Sequence, residues 1–343
     1  MNAVRDRFDG SATTTLMLRV RAVRQAAEDI RLFELVSLEG AALPPWTPGA
    51  HVRLHLRDGL VRAYSLCNTA QQRDCYVIAV KREAASRGGS AFLHAQVQEG
   101  TTISASPPVN AFPLIADARA PLLLAAGIGI TPLHAMAAEL AVQGRRHRLH
   151  YFARSLAHAA FFHELAACSQ GMSLHLGLDG AETERALAAS MAAVPPSSPL
   201  YVCGPSPFIE AARRHARLAG WHEQDIHFEL FAAPVKPSAN ADVEAEAAPL
   251  SEVADRAFEL VLHRSGLRCE VAPGQSIVAA AARLGVVIGT SCGEGFCGSC
   301  ESTVLEGQPL HRDSVLSAAE RAGGRRILPC VSRCVGRRLV LDL

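Results

Sequence analysis

The sequence predicts a multidomain chain of three folded units in series. An antiparallel β-barrel comes first, an α/β domain on a parallel sheet second, and a small C-terminal unit with strands flanking one helix third. Three observations carry that reading. Short alternating strands with frequent turn signals run from Leu16 to about Leu114. At Pro121 the pattern changes to a continuous apolar run, a Gly-x-Gly turn and a helix, after which strands and helices alternate. Ser291–Cys300 reads SCGEGFCGSC, with a further cysteine at 330.

Composition narrows the classes. A chain of 343 residues holds two or three domains, and 49% hydrophobic residues fill well-buried cores. Lys+Arg (34) and Asp+Glu (33) nearly cancel, so no electrostatic footprint for nucleic acid or an anionic membrane is expected. Charges interrupt Met1–Val23, leaving no signal-peptide core, and the longest apolar run, Ala120–Ile130, is too short to span a bilayer. The expectation is a soluble cytoplasmic protein, where ten cysteines mean metal rather than disulfides.

Residues 1–15 are polar and Thr-rich, a loose lead-in. Leu16, Leu18, Val20 and Ala22 then alternate with Met17, Arg19 and Arg21, and His51–Arg57 alternates Val52, Leu54 and Leu56 with Arg53, His55 and Arg57. Asp58-Gly59 is a hairpin signal and Tyr76–Lys81 another strand. Two features exceed what barrel packing requires: Arg62-Ala63-Tyr64-Ser65, and Lys81 followed by Arg87-Gly88-Gly89-Ser90 with a helix over Ala91–Val97. A Gly-Gly-Ser turn feeding a helix presents N–H donors to an anion. Arg62 and Arg87 suit phosphate, and Tyr64 suits a planar ring. Together they point to a phosphorylated aromatic cofactor.

Leu122–Ala126 reads as a buried parallel strand. Gly127-Ile128-Gly129-Ile130-Thr131-Pro132 opens a helix with Thr131 placed to cap it, Pro132 in its first turn and Gly144 as its stop. Strand His147–Phe152, a helix near Ala159–Ala167, strand Leu200–Cys203 and helix Phe208–Leu218 follow. Gly127-x-Gly129 at a strand's carboxyl end is where an open sheet binds a dinucleotide, although Pro132 replaces the third glycine of the full motif. Cys203-Gly204-Pro205 ends another strand on the same edge; a buried packing role is the commoner fate for such a cysteine.

Residues 234–255 are rich in Pro, Ala, Ser and acidic residues and read as a linker. The last unit begins near Arg256, with a helix capped by Ser276 and ended by Gly285, strand Glu301–Leu305, a short helix near Ser317–Ala322 and a final strand Arg338–Leu343. Cys292, Cys297 and Cys300 have the C-x4-C-x2-C spacing of a plant-type [2Fe–2S] site. Gly293, Gly295 and Gly298 permit the tight curl that three thiolates on one cluster demand. A zinc ribbon would show two short pairs. The fourth ligand is Cys330 or Cys334. The unit fits a β-grasp ferredoxin domain.

The chain resembles the phthalate dioxygenase reductase family, which includes the vanillate demethylase reductases. RAYSLCN (Arg62–Asn68), VIAVKR (Val77–Arg82), RGGS (Arg87–Ser90), AAGIGITP (Ala125–Pro132), YVCGP (Tyr201–Pro205), HFELF (His227–Phe231), the cysteine loop, LEGQPLHRDSVLS (Leu305–Ser317) and PCVSR (Pro329–Arg333) carry the resemblance. It implies a 1–115 FMN barrel, a 116–233 NAD(P) domain, a 234–255 linker and a 256–343 [2Fe–2S] ferredoxin domain. It places FMN at Arg62, Ala63, Tyr64, Ser65, Ala79, Val80, Lys81, Arg87, Gly88, Gly89, Ser90 and Thr131, with Phe231 near the ring. The short GGS turn favours FMN over FAD. Pyridine nucleotide is expected over Gly127, Gly129, Cys203, Gly204 and Pro205, and Cys330 is implied as the fourth cluster ligand. Arg154-Ser155 would suit a 2′-phosphate, yet relatives with this pair use NADH, so NADH is expected and NADPH stays the alternative.

The implied function is an NADH-dependent reductase component of a two-component Rieske non-haem iron oxygenase acting on an aromatic or quaternary amine substrate. Electrons pass from NADH to FMN, to [2Fe–2S], and to the oxygenase Rieske centre. Cys203 and Glu229 are expected to shape the nicotinamide pocket and Ser65 to hydrogen-bond flavin N5, and Gly293–Phe296 with His311-Arg312-Asp313 are candidates for the docking face. The protein is expected to be a monomer on its own. The competing reading is a stand-alone electron carrier or redox sensor with another acceptor.

Overall fold

The computed structural model describes residues 15–57, 60–83, 88–116, 119–168, 171–231, 256–290, 295, 300–313, 316 and 318–343. The expected Asp58-Gly59 turn, the 234–255 linker and most of the lead-in lie outside them.

The first unit comprises β1 (Leu16–Ala27), β2 (Ile30–Ser37), β3 (Ala50–His55), β4 (Val61–Ser65), β5 (Cys75–Lys81), α1 (Gly89–Gln96), β6 (Thr102–Ala105) and β7 (Val109–Asn110). Its strands run in the order β4-β3-β6-β1-β2-β5, all neighbours antiparallel, with β7 paired to β3. An antiparallel bridge between Leu66 and Ile78 joins the two ends, so the sheet curls into a barrel. Register shifts at Val20/Ala22 and Gln25/Ala27 let the twelve-residue β1 bend around it. The alternation seen in the sequence holds: Leu18, Val20, Phe33, Leu35, Val52, Leu54 and Ile78 are buried inside.

The second unit comprises β8 (Leu122–Ala126), α2 (Ile130–Val142), β9 (Arg148–Ala153), α3 (Phe162–Cys168), β10 (Met172–Leu176), α4 (Gly180–Ala192), β11 (Leu200–Gly204), α5 (Ser206–Leu218) and β12 (Ile226–Leu230). All strands are parallel in the order β10-β9-β8-β11-β12, a doubly wound sheet. Each face carries its own apolar layer. Thr131 is not the helix cap. Gly127–Gly129 forms a 3₁₀ turn that starts the helix early, and Thr131 sits inside, buried, donating its hydroxyl to the Ile128 carbonyl at 3.1 Å. The expected helix near Ala159–Ala167 starts later, at Phe162, after a 3₁₀ turn at Leu156–His158.

The apolar layer over one sheet face also contains Ile30, Cys67, Ala79 and Phe112 of the barrel. His134 on α2 adds a 2.7 Å hydrogen bond to the Cys67 carbonyl and stacks on Phe161 with ring centroids 4.3 Å apart. Barrel and sheet are thus welded along one apolar seam.

The third unit comprises β13 (Phe258–Leu262), β14 (Leu267–Val271), α6 (Ile277–Arg283), β15 (Ser302–Glu306), β16 (Pro309–Leu310), α7 (Ala318–Ala322), β17 (Arg326–Ile327), β18 (Arg333–Cys334) and β19 (Arg338–Leu341). The sheet order is β14-β13-β19-β15-β17, with β13 parallel to β19 and the other pairs antiparallel. Ser276 caps α6 by accepting the Ala279 N–H at 3.1 Å, as its position in the sequence predicts. Arg333 is buried, its guanidinium donating to the carbonyls of Gln275, Arg256 and Ala272. That contact ties the first residues of the unit to its core.

Candidate functional site

The seam between barrel and sheet brings together Ser65, expected at the flavin, and Cys203 and Glu229, expected at the nicotinamide. Ser65 ends β4, and its hydroxyl donates to the Glu229 carboxyl at 3.4 Å. Glu229 on β12 stands opposite Cys203 on β11 in the parallel register. The Glu229 carboxyl is half-buried in the seam, where loss of solvent pushes its pKa up to about 8, opposed only in part by the Ser65 hydroxyl. Burial raises the Cys203 thiol well above its ordinary value, and the nearby Glu229 carboxyl adds to that. At neutral pH the seam therefore holds a neutral acid, a thiol and a hydroxyl.

Around the start of α1 the barrel forms a cradle. Gly88 precedes the helix at φ +96°, a conformation open to glycine. A Cβ at Gly89 would lie 2.7 Å from the Arg62 Cγ, so the arginine stem fills that space. Ser90 accepts the Glu83 N–H at 3.2 Å, and Lys81 pairs with Glu83 at 3.0 Å. Arg62, Lys81, Gly88, Gly89 and Ser90 are thus brought together. Ala63 is exposed on β4, and Tyr64 is partly buried against the barrel core, which pushes its hydroxyl above the ordinary tyrosine range. Ala79 faces the seam and Val80 the barrel interior. Arg87 lies outside the described residues. Phe231, at the end of β12, is 38% exposed.

A cavity of about 580 Å³ opens at the carboxyl edge of the sheet. Gly127, Arg154 and Pro205 line it with Phe152, His175 and Asp179. Close approach explains the glycines. A Cβ at Gly129 would fall 2.3 Å from the Cys203 carbonyl oxygen, and one at Gly204 would fall 2.8 Å from the Ala126 Cβ. The turn after β8 and the end of β11 therefore touch, as a nucleotide-binding crevice at a switch point requires. His175, stacked on Phe152 at 4.3 Å, was not singled out by the sequence. β10 carries it, and that strand has no apolar run to announce it.

In the third unit Cys300 and Cys330 place their sulfurs 3.2 Å apart, across thirty residues of sequence. The Cys334 thiol is turned elsewhere, onto the Arg338 carbonyl at 3.2 Å. Gly295 has φ +78°, and a Cβ there would meet Val331 at 2.4 Å. Gly295 thus packs against the segment carrying Cys330. Cys292, Cys297, Gly293 and Gly298 lie outside the described residues. Asp313 is buried, accepting from Leu316 N–H and the Ser332 hydroxyl and pairing with Arg321. The His311–Asp313 turn is therefore built into the unit, with Arg312 as its exposed residue.

The C-terminal region, residues 260–335, matches the 2Fe-2S iron-sulfur cluster binding domain. The whole fold is similar to that of phthalate dioxygenase reductase, described as a modular structure for electron transfer from pyridine nucleotides to [2Fe-2S], with a TM-score of 0.69 and 34% identity over 96% of this chain and 98% of that one. The vanillate O-demethylase oxidoreductase of Pseudomonas sp. (strain HR199 / DSM 7063) is 38% identical over 94% of this chain and 98% of its own. The oxidoreductase NdmD of Pseudomonas putida is 36% identical over the full chain, which spans 56% of that longer protein. A barrel fused to a nucleotide sheet, with a cluster-binding unit after it, defines a modular oxidoreductase. The chain belongs to the phthalate dioxygenase reductase family, the reductase subunits of oxygenase systems. Among the described residues, no helix is long and apolar enough to cross a membrane.

Proposed function

We propose that this chain is the NADH-dependent reductase component of a two-component Rieske non-haem iron oxygenase, working in the cytoplasm with FMN and a [2Fe–2S] cluster. When bound, these cofactors supply acceptance of a hydride and its delivery as single electrons. The observation that carries the reading is the seam: Ser65 of the cradle strand meets Glu229 of the nucleotide sheet at 3.4 Å. A ring held beside β4 would thus face a nicotinamide held at the end of β11.

The residues have distinct tasks. The α1 cradle, with Arg62 and Ser90, suits a phosphate because a glycine-led helix start and a cation meet at one point. Gly127, Gly129 and Gly204 let a dinucleotide approach the backbone, and Arg154 lines its cavity. Glu229, at the seam beside Ser65, would favour the cationic nicotinamide that hydride release forms once its carboxyl ionises. Cys300 and Cys330, already in contact distance, fit two ligands of one cluster, with Cys292 and Cys297 as the others. We assign the domains as 1–115, 116–233 and 256–343, joined by 234–255.

The purified protein should be brown-orange and contain equimolar FMN and two iron atoms per chain. Anaerobic NADH should bleach both chromophores, and NADPH should do so at least tenfold more slowly. A colourless, flavin-free folded protein would overturn the proposal. A Rieske oxygenase reduced by this chain with NADH would establish the partner, whereas reduction of other acceptors alone would favour a stand-alone carrier.

A further inference from the structure

The third unit has a core of its own: Phe258, Leu260, Ile277, Cys300, Leu339 and their neighbours cluster without any barrel or nucleotide-sheet residue among those described. Among the described residues, a polar contact joins it to the barrel. Arg53, in the middle of β3, donates through its guanidinium to the carbonyl of Thr290, 237 residues away in sequence. Thr290 immediately precedes the cysteine loop that starts at Ser291.

The other end of this contact is equally well placed. Arg53 faces Ala63 across the β3–β4 pair, so it stands beside the strand carrying Arg62–Ser65. Its backbone is held twice by Ser106: the Arg53 N–H donates to the Ser106 hydroxyl at 3.1 Å, and the Ser106 N–H donates to the Arg53 carbonyl at 2.9 Å. The side chain is half-buried, and its Nε is buried with no hydrogen-bond partner among the described residues. Arg53 alternates with the buried Val52 and Leu54, so its side chain leaves the strand on the face away from the barrel core. Its recorded side-chain bond is to the third unit.

We propose that Arg53 is the positioning residue for internal electron transfer, holding the start of the cysteine loop against the strand pair that carries the flavin cradle. This rests on the reading of the chain as a flavin- and cluster-bearing reductase. Interfaces between domains of one chain are typically small and polar, so relative motion is the default. A cationic donor on a carbonyl at such a joint then weighs heavily on the docked fraction, because bonds to charged groups are the stronger class. Lysine keeps the charge but lacks the planar fork, so it would restore docking only partly.

The test uses full-length holoprotein carrying R53A, R53Q or R53K. Flavin and iron contents should match the parent. Flavin bleaching by NADH should stay within twofold, while cluster bleaching slows at least tenfold in R53A and R53Q and about threefold in R53K. Small-angle scattering without NADH should show a larger radius of gyration for R53A and R53Q. Cluster bleaching at the parental rate with unchanged scattering would overturn the proposal. So would equal slowing of both bleaching phases, which would mark Arg53 as a barrel-stability residue. Should R53A lower barrel stability, R53Q keeps most of the stem and carries the same comparison. A parent protein without flavin would instead sink the reductase reading, and scattering would still decide whether Arg53 holds the third unit in place.

Discussion

The Ser65 hydroxyl and the Glu229 carboxyl meet at 3.4 Å across the seam between barrel and nucleotide sheet. Burial there lifts the Glu229 pKa from 4.5 to about 8. The folded protein thus keeps a proton that the unfolded chain has released. Below about pH 4.5 the group is protonated in both states and costs nothing; as pH rises from there to about 8, stability is progressively lost, and above 8 the loss is complete. Glu229→Gln removes this slope. Its stability relative to the parent should grow with pH, reaching on the order of a few kcal/mol at pH 9. Denaturant titrations of the apoprotein at pH 5 and pH 9 check this, and an equal difference at both would refute it.

Gly129→Ala should damage the nucleotide crevice from within. The added Cβ would sit 2.3 Å from the Cys203 carbonyl oxygen and 2.6 Å from the Gly204 nitrogen, both backbone atoms that cannot rotate away. Strands must part, at a cost of about 1–3 kcal/mol by analogy with overpacked cores. We expect a lower melting temperature together with a raised KM for NADH. Cluster absorption per folded protein should be unaffected.

The two C-terminal cysteines should separate cleanly. Cys330→Ser removes a sulfur 3.2 Å from Cys300 and should abolish the visible cluster bands while leaving flavin bound. Cys334→Ala loses only a thiol bonded to the Arg338 carbonyl and should keep the cluster. Iron determination and circular dichroism in the visible range distinguish the pair, and the reverse pattern would displace Cys330 as a ligand.

Arg62→Ala should loosen FMN specifically. The arginine stem packs where a Cβ on Gly89 would otherwise lie, so the side chain is held beside the start of α1. A charged hydrogen bond of about 1.5–3 kcal/mol corresponds to a ten- to hundredfold rise in Kd. Fluorescence titration of apoprotein with FMN reads it directly. Riboflavin, lacking phosphate, should bind both proteins alike.

Much of this was legible because some signals are local. A cluster loop must gather three thiolates within ten residues, and Gly144 and Gly285 stop helices by adopting φ +65° and +82°, so each shows in the sequence itself. β10 did not show, because it is a half-buried edge strand without an apolar run. The following α4 is rich in alanine with few buried positions, although its Asp179–Glu182 capping box is written in the sequence. Thr131 was misplaced because a preceding 3₁₀ turn moved the helix start. The partners of Ser65 and Arg53 lie 164 and 237 residues away, so only the folded chain could pair them. An arginine on the outer face of an alternating strand reads as ordinary solvated surface.

The apolar seam has a thermal consequence. Ile30, Cys67, Ala79 and Phe112 lie in the same core layer as Leu123, Leu133 and Tyr201. Neither the barrel nor the doubly wound sheet can open without exposing the other's interior. Calorimetry should therefore show them melting in a single endotherm, while the C-terminal unit, with its private core, melts in another. A graft that exchanges the last unit for a different electron acceptor would leave the larger endotherm where it was.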